Sequence, residues 1–242
     1  KLSQRRGRKA LRLNSGVRRH MRKLSKQTLL KLSAAALDNA VALVSEAEAL
    51  LASEHFARAY FLAVASVEEV GKSALAFNAA GRNLDDQQVV KKTWNNLLDH
   101  KSKIIAAFGP SLQLTQKDNL TEALETSLEL MGDLRRGREP SMYTSILADG
   151  SVQCPKEIVR PVAARDAVRL AQHCLARAQQ HLPNKEPQAT SVASDYFYTL
   201  SGTKLQEIMA QPEFSSFYMA RIQGGDISLE GAIYAFVFRS AA

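Results

Sequence analysis

Apolar residues recur at intervals of three and four along most of the chain, which is the spacing of amphipathic helices. This spacing predicts helices over about residues 26–52, 54–80, 85–108, 115–135 and 161–182. Between the last two, a short apolar run leads into Asp149-Gly150, a pair that indicates a type I′ turn in a small hairpin or loop at 141–155. The predicted fold class is all-α, an up-and-down helical bundle with this small insertion.

The composition changes after the fifth predicted helix. Residues 183–194 are rich in Pro, Ser and other polar residues, which is typical of a linker. Residues 195–242 hold nine of the sixteen aromatic residues, and we expect two or three short helices there that pack on the bundle or on a second subunit. The predicted organisation is a basic arm at 1–25, a bundle at 26–182, the linker, and an aromatic-rich helical C-terminal extension.

The net charge of +8 originates near the N-terminus. Residues 1–31 hold 12 Lys and Arg and no acid, whereas the other residues carry 20 cations and 24 acids. Such an arm can bind nucleic-acid phosphates in a salt-dependent way. It can equally be a solvated tail or a start-site artefact, and an organelle transit peptide is a weaker alternative. The arm residues that we predict to contact nucleic acid are Arg5, Arg6, Arg18 and Arg19.

Several classes of protein are disfavoured by what the sequence lacks. Two cysteines are too few for a disulfide framework, which favours a reducing compartment and hence the cytoplasm. No run of about 18 uncharged apolar residues occurs, so no membrane association is predicted. Neither a phosphate-binding glycine loop nor the Glu-x-x-His pair of a di-metal bundle is found, so we expect no metal and no cofactor.

The second predicted helix is apolar on nearly all sides, yet it carries Glu68, Glu69 and Lys72 within five positions. A buried charge costs several kcal/mol, roughly, unless it is paired. The three residues therefore form either an ion-pair clip between helices or a polar site inside the bundle. On the third helix, His100 borders the buried stripe and Lys101 falls on it.

Further polar residues follow on the third and fourth helices. His100 and Lys103 are three positions apart and can address one point. A lone histidine in a helix is more often structural, but one among Asp99 and two lysines is a candidate acid or base. Arg135, Arg136 and Arg138 suit the dipole at a helix C-terminus, and arginine also binds phosphate in a forked geometry.

Three segments together resemble the AbiV family of bacterial abortive-infection proteins. They are AYFLAVASVEEVGK at 59–72, DHKSK at 99–103 and REPSMY at 138–143, with Pro155 downstream. The similarity covers about residues 30–182, so the arm and the aromatic extension lie outside it. AbiV proteins are grouped with the HEPN superfamily of helical bundles.

This resemblance implies an anti-phage role, a homodimer and a composite groove for RNA. Many proteins of the wider superfamily are metal-independent ribonucleases in which a histidine follows an arginine after four to six residues. The matching positions here are Arg138 and Tyr143, and a phenol is a poor general base at neutral pH. His100 could supply the acid/base group from another helix, or Tyr143 could only position a phosphate or stack on a base. Alternatively, the protein could be a non-catalytic binder that blocks translation or a phage factor.

Metal-independent RNA cleavage needs an acid/base group and cations that stabilise the phosphorane. His100 would be the acid/base group, Glu69 would orient a lysine or histidine, and Tyr143 would donate to phosphate. The cations stabilising phosphate charge would be Arg138, Lys72 and Lys103, and the residues binding RNA nearby would be Arg135, Arg136 and Lys101.

Two functions therefore remain open from the sequence. The first is an RNA-targeting effector, either an endoribonuclease or an RNA-binding block to translation, with a phage protein as trigger or target. The second is a helical adaptor that binds a phage or host protein without catalysis. The most informative observation is whether Glu69, Lys72, His100, Arg138 and Tyr143 converge in one cleft.

Overall fold

The computed structural model describes residues 24–109, 120–183 and 185–239. Within them the chain forms eleven helices and a two-stranded sheet, which confirms the all-α prediction. The helices are α1 Lys26–Ala52, α2 Phe56–Ala79, α3 Gln87–Leu98, α4 His100–Ala107, α5 Leu120–Arg138, α6 Pro155–Ile158, α7 Pro161–His181, α8 Val192–Thr199, α9 Gly202–Met209, α10 Pro212–Gln223 and α11 Leu229–Phe238. The strands are β1 Ser145–Ile146 and β2 Val152–Gln153. The arm residues Arg5, Arg6, Arg18 and Arg19 lie outside the described residues.

Helix α2 forms the centre of the bundle. It packs against α1, α4 and α7, so apolar residues such as Ala63, Val64, Val67 and Val70 are fully buried. Small side chains at the facing positions of α1 and α7 let these helices approach α2 closely, and the largest hydrophobic cluster lies between them. A charged side chain on α2 therefore faces protein on most sides, as the sequence pattern indicates.

The prediction of one helix over 85–108 is wrong, because the chain breaks at Asp99 between α3 and α4. Asp99 has an extended backbone (φ −80°, ψ 121°), and its side chain accepts hydrogen bonds from the backbone N and the Oγ of Ser102, each at 2.7 Å. It is thus the N-cap of α4. The break changes which residues face inward: Lys103 and Ile104 are buried, while Lys101, predicted on the buried stripe, is exposed.

The short insertion between α5 and α6 is a hairpin whose strands pair Ser145 with Gln153 and Ile146 with Val152. The predicted type I′ turn is wrong, because Asp149 does not have the positive φ that this turn needs. Instead, the amide of Gly150 donates to the carbonyl of Leu147 at 2.9 Å, and Gly150 itself has φ +85°. The loop is therefore longer than a two-residue turn, with glycine at the one left-handed position.

Helix α1 is, among the described residues, long and apolar enough to cross a membrane by length and composition alone. It lies near the N-terminus, and its buried residues, such as Leu29, Ala40 and Val44, face the bundle. A core helix satisfies the same criteria as a membrane span, so the absence of membrane association stays a prediction.

The C-terminal extension begins at Val192 and contains four helices, α8 to α11, rather than two or three. Its own small core consists of Ile208, Phe214, Ile233 and Phe236, which pack against partly buried aromatic residues. The aromatic content that marks this segment in the sequence thus serves a hydrophobic core. Aromatic side chains bury a large area each, which suits so short a segment.

A buried carboxylate attaches this extension to the bundle. Asp195 is 5% exposed and accepts hydrogen bonds from Arg82 Nη1 and the backbone N of Asn83, both at 3.0 Å, and from Thr190 Oγ1 at 2.8 Å. The guanidinium carbon of Arg82 also lies 3.8 Å from the ring centroid of Tyr198. The contact joins α8 to the segment that follows α2.

We expect Asp195→Ala to loosen the extension, because removing one partner of a buried ion pair leaves Arg82 unpaired and costs about 3 kcal/mol. Hydrogen exchange should become faster throughout α8. The control is Glu207→Ala, which removes an exposed ion pair with Lys204 on α9 and should change little. Equal exchange in the two variants would show that Asp195 does not hold the extension.

Candidate functional site

Glu68 on α2 is the centre of a buried ionic cluster. Its side chain is 6% exposed, and its Oε2 lies 2.6 Å from His100 Nδ1 and 3.1 Å from Lys103 Nζ. Its Oε1 lies 2.7 Å from Arg138 Nε. That last contact is an ion pair, because the N–H of Arg138 does not point at Oε1 in hydrogen-bond geometry. Three helices, α2, α4 and α5, therefore contribute to one site, which we call the Glu68 cluster: Glu68, His100, Lys103 and Arg138.

Local sequence places each member of the Glu68 cluster. The cap at Asp99 starts α4 at His100, so His100 and Lys103 lie on one face a single turn apart. Gly71, one turn after Glu68, lets α4 approach α2 so closely that a Cβ there would overlap the backbone carbonyl of Lys103. Glycine is required at such a close approach of two backbones. Arg138 is the last residue of α5 and reaches the cluster from the helix end.

The electrostatics of the cluster favour an ionised Glu68. Burial alone would raise the pKa of Glu68, but the hydrogen bond from His100 and the charges of Lys103 and Arg138 outweigh burial and lower this pKa. One carboxylate thus faces two permanent cations, so the cluster carries a net positive charge before His100 is protonated. A site of this sign attracts an anion such as a phosphate.

The contact with Glu68 fixes the tautomer of His100. An ionised carboxylate can only accept hydrogen bonds, so the Nδ1 of His100 carries the proton and donates it to Glu68. The other ring nitrogen, Nε2, is then left to accept a proton when the ring is neutral. The His100 side chain is 54% exposed, so its outward edge is open to a substrate. A carboxylate that orients a histidine in this way is a recurring arrangement in acid/base catalysis.

Arg138 and Lys103 differ in what they can touch. The Arg138 side chain is 23% exposed, and its guanidinium carbon lies 5.8 Å from the ring centroid of Phe61 on α2. The Lys103 side chain is only 8% exposed. Arg138 is therefore the more accessible of the two, whereas Lys103 is a buried counter-ion of Glu68. That the two cations stabilise phosphate charge stays a prediction.

Comparison with protein-family models matches residues 28–176 to the HEPN family model described as AbiV. The chain belongs to the AbiV family. These are abortive-infection proteins of the HEPN type, so the resemblance noted in the sequence is confirmed. The match includes every member of the Glu68 cluster and ends before the C-terminal extension. Neither the curated proteins nor the solved structures contain a match.

Other residues predicted for the site of this AbiV-family protein are not among the described contacts of Glu68. Glu69 and Lys72 form an ion pair with each other on α2, with side chains 17% and 25% exposed. Tyr143 is 57% exposed and is not among the residues that contact Glu68. The structure thus brings His100, Lys103 and Arg138 together, and it does not bring Glu69, Lys72 or Tyr143 into the same contacts.

The predicted RNA-binding residues that the structure describes lie on the surface. Lys101 and Arg135 are exposed, and Arg136 forms an exposed ion pair with Asp133 one turn earlier. Exposed ion pairs of this type contribute little to stability, so Arg136 remains available to a phosphate. Their binding to RNA stays a prediction.

The sequence placed Glu68, with Glu69 and Lys72, in an ion-pair clip or a polar site, but Glu69 was the glutamate chosen to orient the catalytic group. The signal that distinguishes them is spacing from Gly71. Glu68 precedes Gly71 by three residues and lies on the same face of α2. Glu69 is rotated by about 100° from Glu68 around the helix axis, away from that face. Because a glycine inside a helix marks a close backbone contact, the carboxylate on its face is the one that meets the neighbouring helix.

The described residues offer little for metal binding. Within residues 24–109, 120–183 and 185–239, no three or more His, Cys, Asp and Glu side chains are grouped to hold an ion. Cys154 and Cys174 are both free thiols, and burial raises the pKa of the Cys174 thiol to about 12. Cys174 is therefore a packing residue rather than a nucleophile.

Proposed function

We propose that this AbiV-family protein acts in abortive infection as a metal-independent endoribonuclease centred on His100 and Arg138. The observation that carries the proposal is the 2.6 Å contact between Glu68 Oε2 and His100 Nδ1. It leaves Nε2 of a half-exposed histidine free to act as an acid/base group, near a partly exposed arginine. His100 thus performs the role that Tyr143 cannot perform as a base.

In the proposed reaction the ribose 2′-oxygen attacks the adjacent phosphorus, and Nε2 of His100 takes the proton of the 2′-hydroxyl. Arg138 stabilises the negative charge of the phosphorane. The bond from phosphorus to the 5′-oxygen then breaks, and the proton returns from His100 to that leaving oxygen. The products are a 2′,3′-cyclic phosphate and a 5′-hydroxyl, and Glu68 stabilises the imidazolium between the two proton transfers.

The test is cleavage of total RNA and of a labelled oligoribonucleotide by the purified chain, with and without a chelator. We expect chelator-resistant cleavage that leaves 5′-hydroxyl ends, because polynucleotide kinase should label the products without phosphatase treatment. His100→Ala should lower the rate at least about 100-fold, since it removes the acid/base group.

The matched control is His173→Ala, which removes an exposed histidine on α7 away from the cluster. It should cleave RNA like the wild type. Both variants should unfold at the wild-type temperature within a few degrees. Cleavage unchanged in His100→Ala, or RNA left intact by the wild type, would refute the proposed activity.

A second candidate function, that of a non-catalytic adaptor, has support from the hairpin between α5 and α6. Ile146 is 76% exposed, Val152 62% and Tyr143 57%. Apolar side chains grouped this way on a surface are typical of an interaction site. The partner would be a second copy of the chain or a phage or host protein. Intact RNA together with loss of a stable complex in Ile146→Lys would favour this function.

A further inference from the structure

An apolar groove borders the first two turns of α2. It has a volume of about 890 Å³ and lies between the start of α2 and the segment comprising the turn after α5 and helix α6. Pockets of roughly 300–1,000 Å³ are the usual size for small-molecule groups in proteins. Partly exposed aromatic and apolar side chains form its walls, chiefly Phe56, Phe61, Leu62 and Met142.

The contact between Arg138 and the Phe61 ring connects the groove wall to the Glu68 cluster. Phe61 lies in the groove wall and precedes Glu68 by seven residues, or two helical turns, so both are on one face of α2. Arg138 contacts Glu68 and also lies over the Phe61 ring. A phosphate bound by Arg138 would therefore place its neighbouring nucleotide at the mouth of the groove.

The charges around the groove suit a polyanion. Arg58 and Lys156 are exposed on opposite walls, and Glu54 is the acid among the lining residues of the described chain. Single-stranded RNA is commonly bound by aromatic side chains that stack on bases and by cations that follow the backbone. An apolar peptide would match the walls but would gain nothing from the two cations.

We propose that this groove binds an unpaired nucleobase of RNA next to the phosphate held by Arg138, with Phe56 and Phe61 as the stacking surfaces. The inference rests on the proposed action on RNA, and it identifies an unpaired base as the part of the RNA that the protein recognises. It implies a preference for single strands, because a base in a duplex cannot enter the groove.

Binding is measured by fluorescence anisotropy with a labelled single-stranded oligoribonucleotide that is 2′-O-methylated throughout, so that it cannot be cleaved. A second set of probes carries one abasic position at a time. We expect one abasic position to weaken binding by about tenfold, the loss expected when a stacked base is removed. Phe56→Leu keeps an apolar side chain without the ring, and it should weaken the intact probe similarly while erasing the effect of that abasic position.

The control is Phe217→Leu, which alters a partly buried aromatic residue packed against the core of the C-terminal extension and should bind RNA like the wild type. Arg58→Gln and Lys156→Gln should each lower the slope of log K against log salt by about 0.7, the value for one phosphate contact to a single strand.

The outcomes separate this inference from the proposed cleavage. If His100→Ala abolishes cleavage but neither Phe56→Leu nor any abasic position affects binding, the base site is refuted and the nuclease stands. If the abasic effect is present and RNA is not cleaved, the base site stands and the nuclease is refuted. Equal binding of single-stranded and duplex probes would also overturn the base site.

Discussion

Replacing Gly71 by alanine is expected to lower the free energy of unfolding by about 3 kcal/mol, because a Cβ has no space at this position. The atom would overlap the backbone carbonyl of Lys103 and lie 3.1 Å from the backbone N of Ala107. Backbone atoms of a helix cannot move aside singly, so α4 must shift away from α2 as a unit. Denaturant unfolding followed by circular dichroism measures the loss.

The matched control is Gly132→Ala in α5, where the nearest atom to the added Cβ is Arg136 Nη1 at 3.3 Å. A mobile arginine side chain can yield, and alanine is a better helix former than glycine by about 1 kcal/mol. Gly132→Ala should therefore be neutral or stabilising. If the two variants had equal stability, the close approach of α2 and α4 would not be a source of stability.

Gly71→Ala also tests whether the contact between α2 and α4 positions the Glu68 cluster. A shift of α4 moves His100 and Lys103 together, since both belong to its first turn. The 2.6 Å hydrogen bond from His100 Nδ1 cannot persist if the helices separate by even 1 Å or so. RNA cleavage by Gly71→Ala should therefore fall even at temperatures where the variant remains folded.

Helical periodicity was sufficient to predict the bundle, because most of its helices bury a continuous stripe. It did not reveal the break at Asp99, since Leu97 and Ile104 continue the stripe across it. The break depends on a local competition in which the Asp99 side chain caps the amide of Ser102. The change in register that exposes Lys101 and buries Lys103 follows from that one cap.

The candidate site was predictable in its residue types but only partly in its contacts. The sequence identified His100 and Arg138 as chemically unusual, and both contact the same carboxylate. Which of two adjacent glutamates supplies that carboxylate depends on helix rotation, a difference of 100° that the surrounding apolar residues hardly constrain. The groove beside Arg138 depends on the path of the chain after α5, which periodicity does not describe.

Glu68→Gln is expected to have the broadest effect of any single change. It leaves Lys103, which is 8% exposed, without a counter-ion, and removing one partner of a buried ion pair costs about 3 kcal/mol. It also removes the acceptor that fixes the His100 tautomer, so RNA cleavage should fall at least about 100-fold. Urea unfolding and cleavage rates on the same preparation measure the two effects.

Acidity provides an independent check on the stability effect. The pKa of Glu68 is lower in the folded protein than in the unfolded chain. The contribution of Glu68 to the free energy of unfolding is therefore fully present above about pH 4.3, the pKa of an unperturbed glutamate, and is lost as the pH falls through the pKa of the folded protein. The wild type should therefore lose its advantage over Glu68→Gln on acidification below about pH 4.3. A stability difference that is constant across this range would mean that folding does not lower the pKa of Glu68.

A double variant separates the structural role of Glu68 from its positioning role. Lys103→Met removes the orphaned cation but keeps an unbranched side chain that is shorter by one atom, so Glu68→Gln combined with Lys103→Met should regain much of the lost stability. Cleavage should stay low, because His100 still lacks its carboxylate. Recovery of both stability and cleavage would instead mean that Glu68 serves only as a counter-ion. The hydrogen bond between Glu68 and His100 would then no longer support the assignment of His100 as the acid/base group.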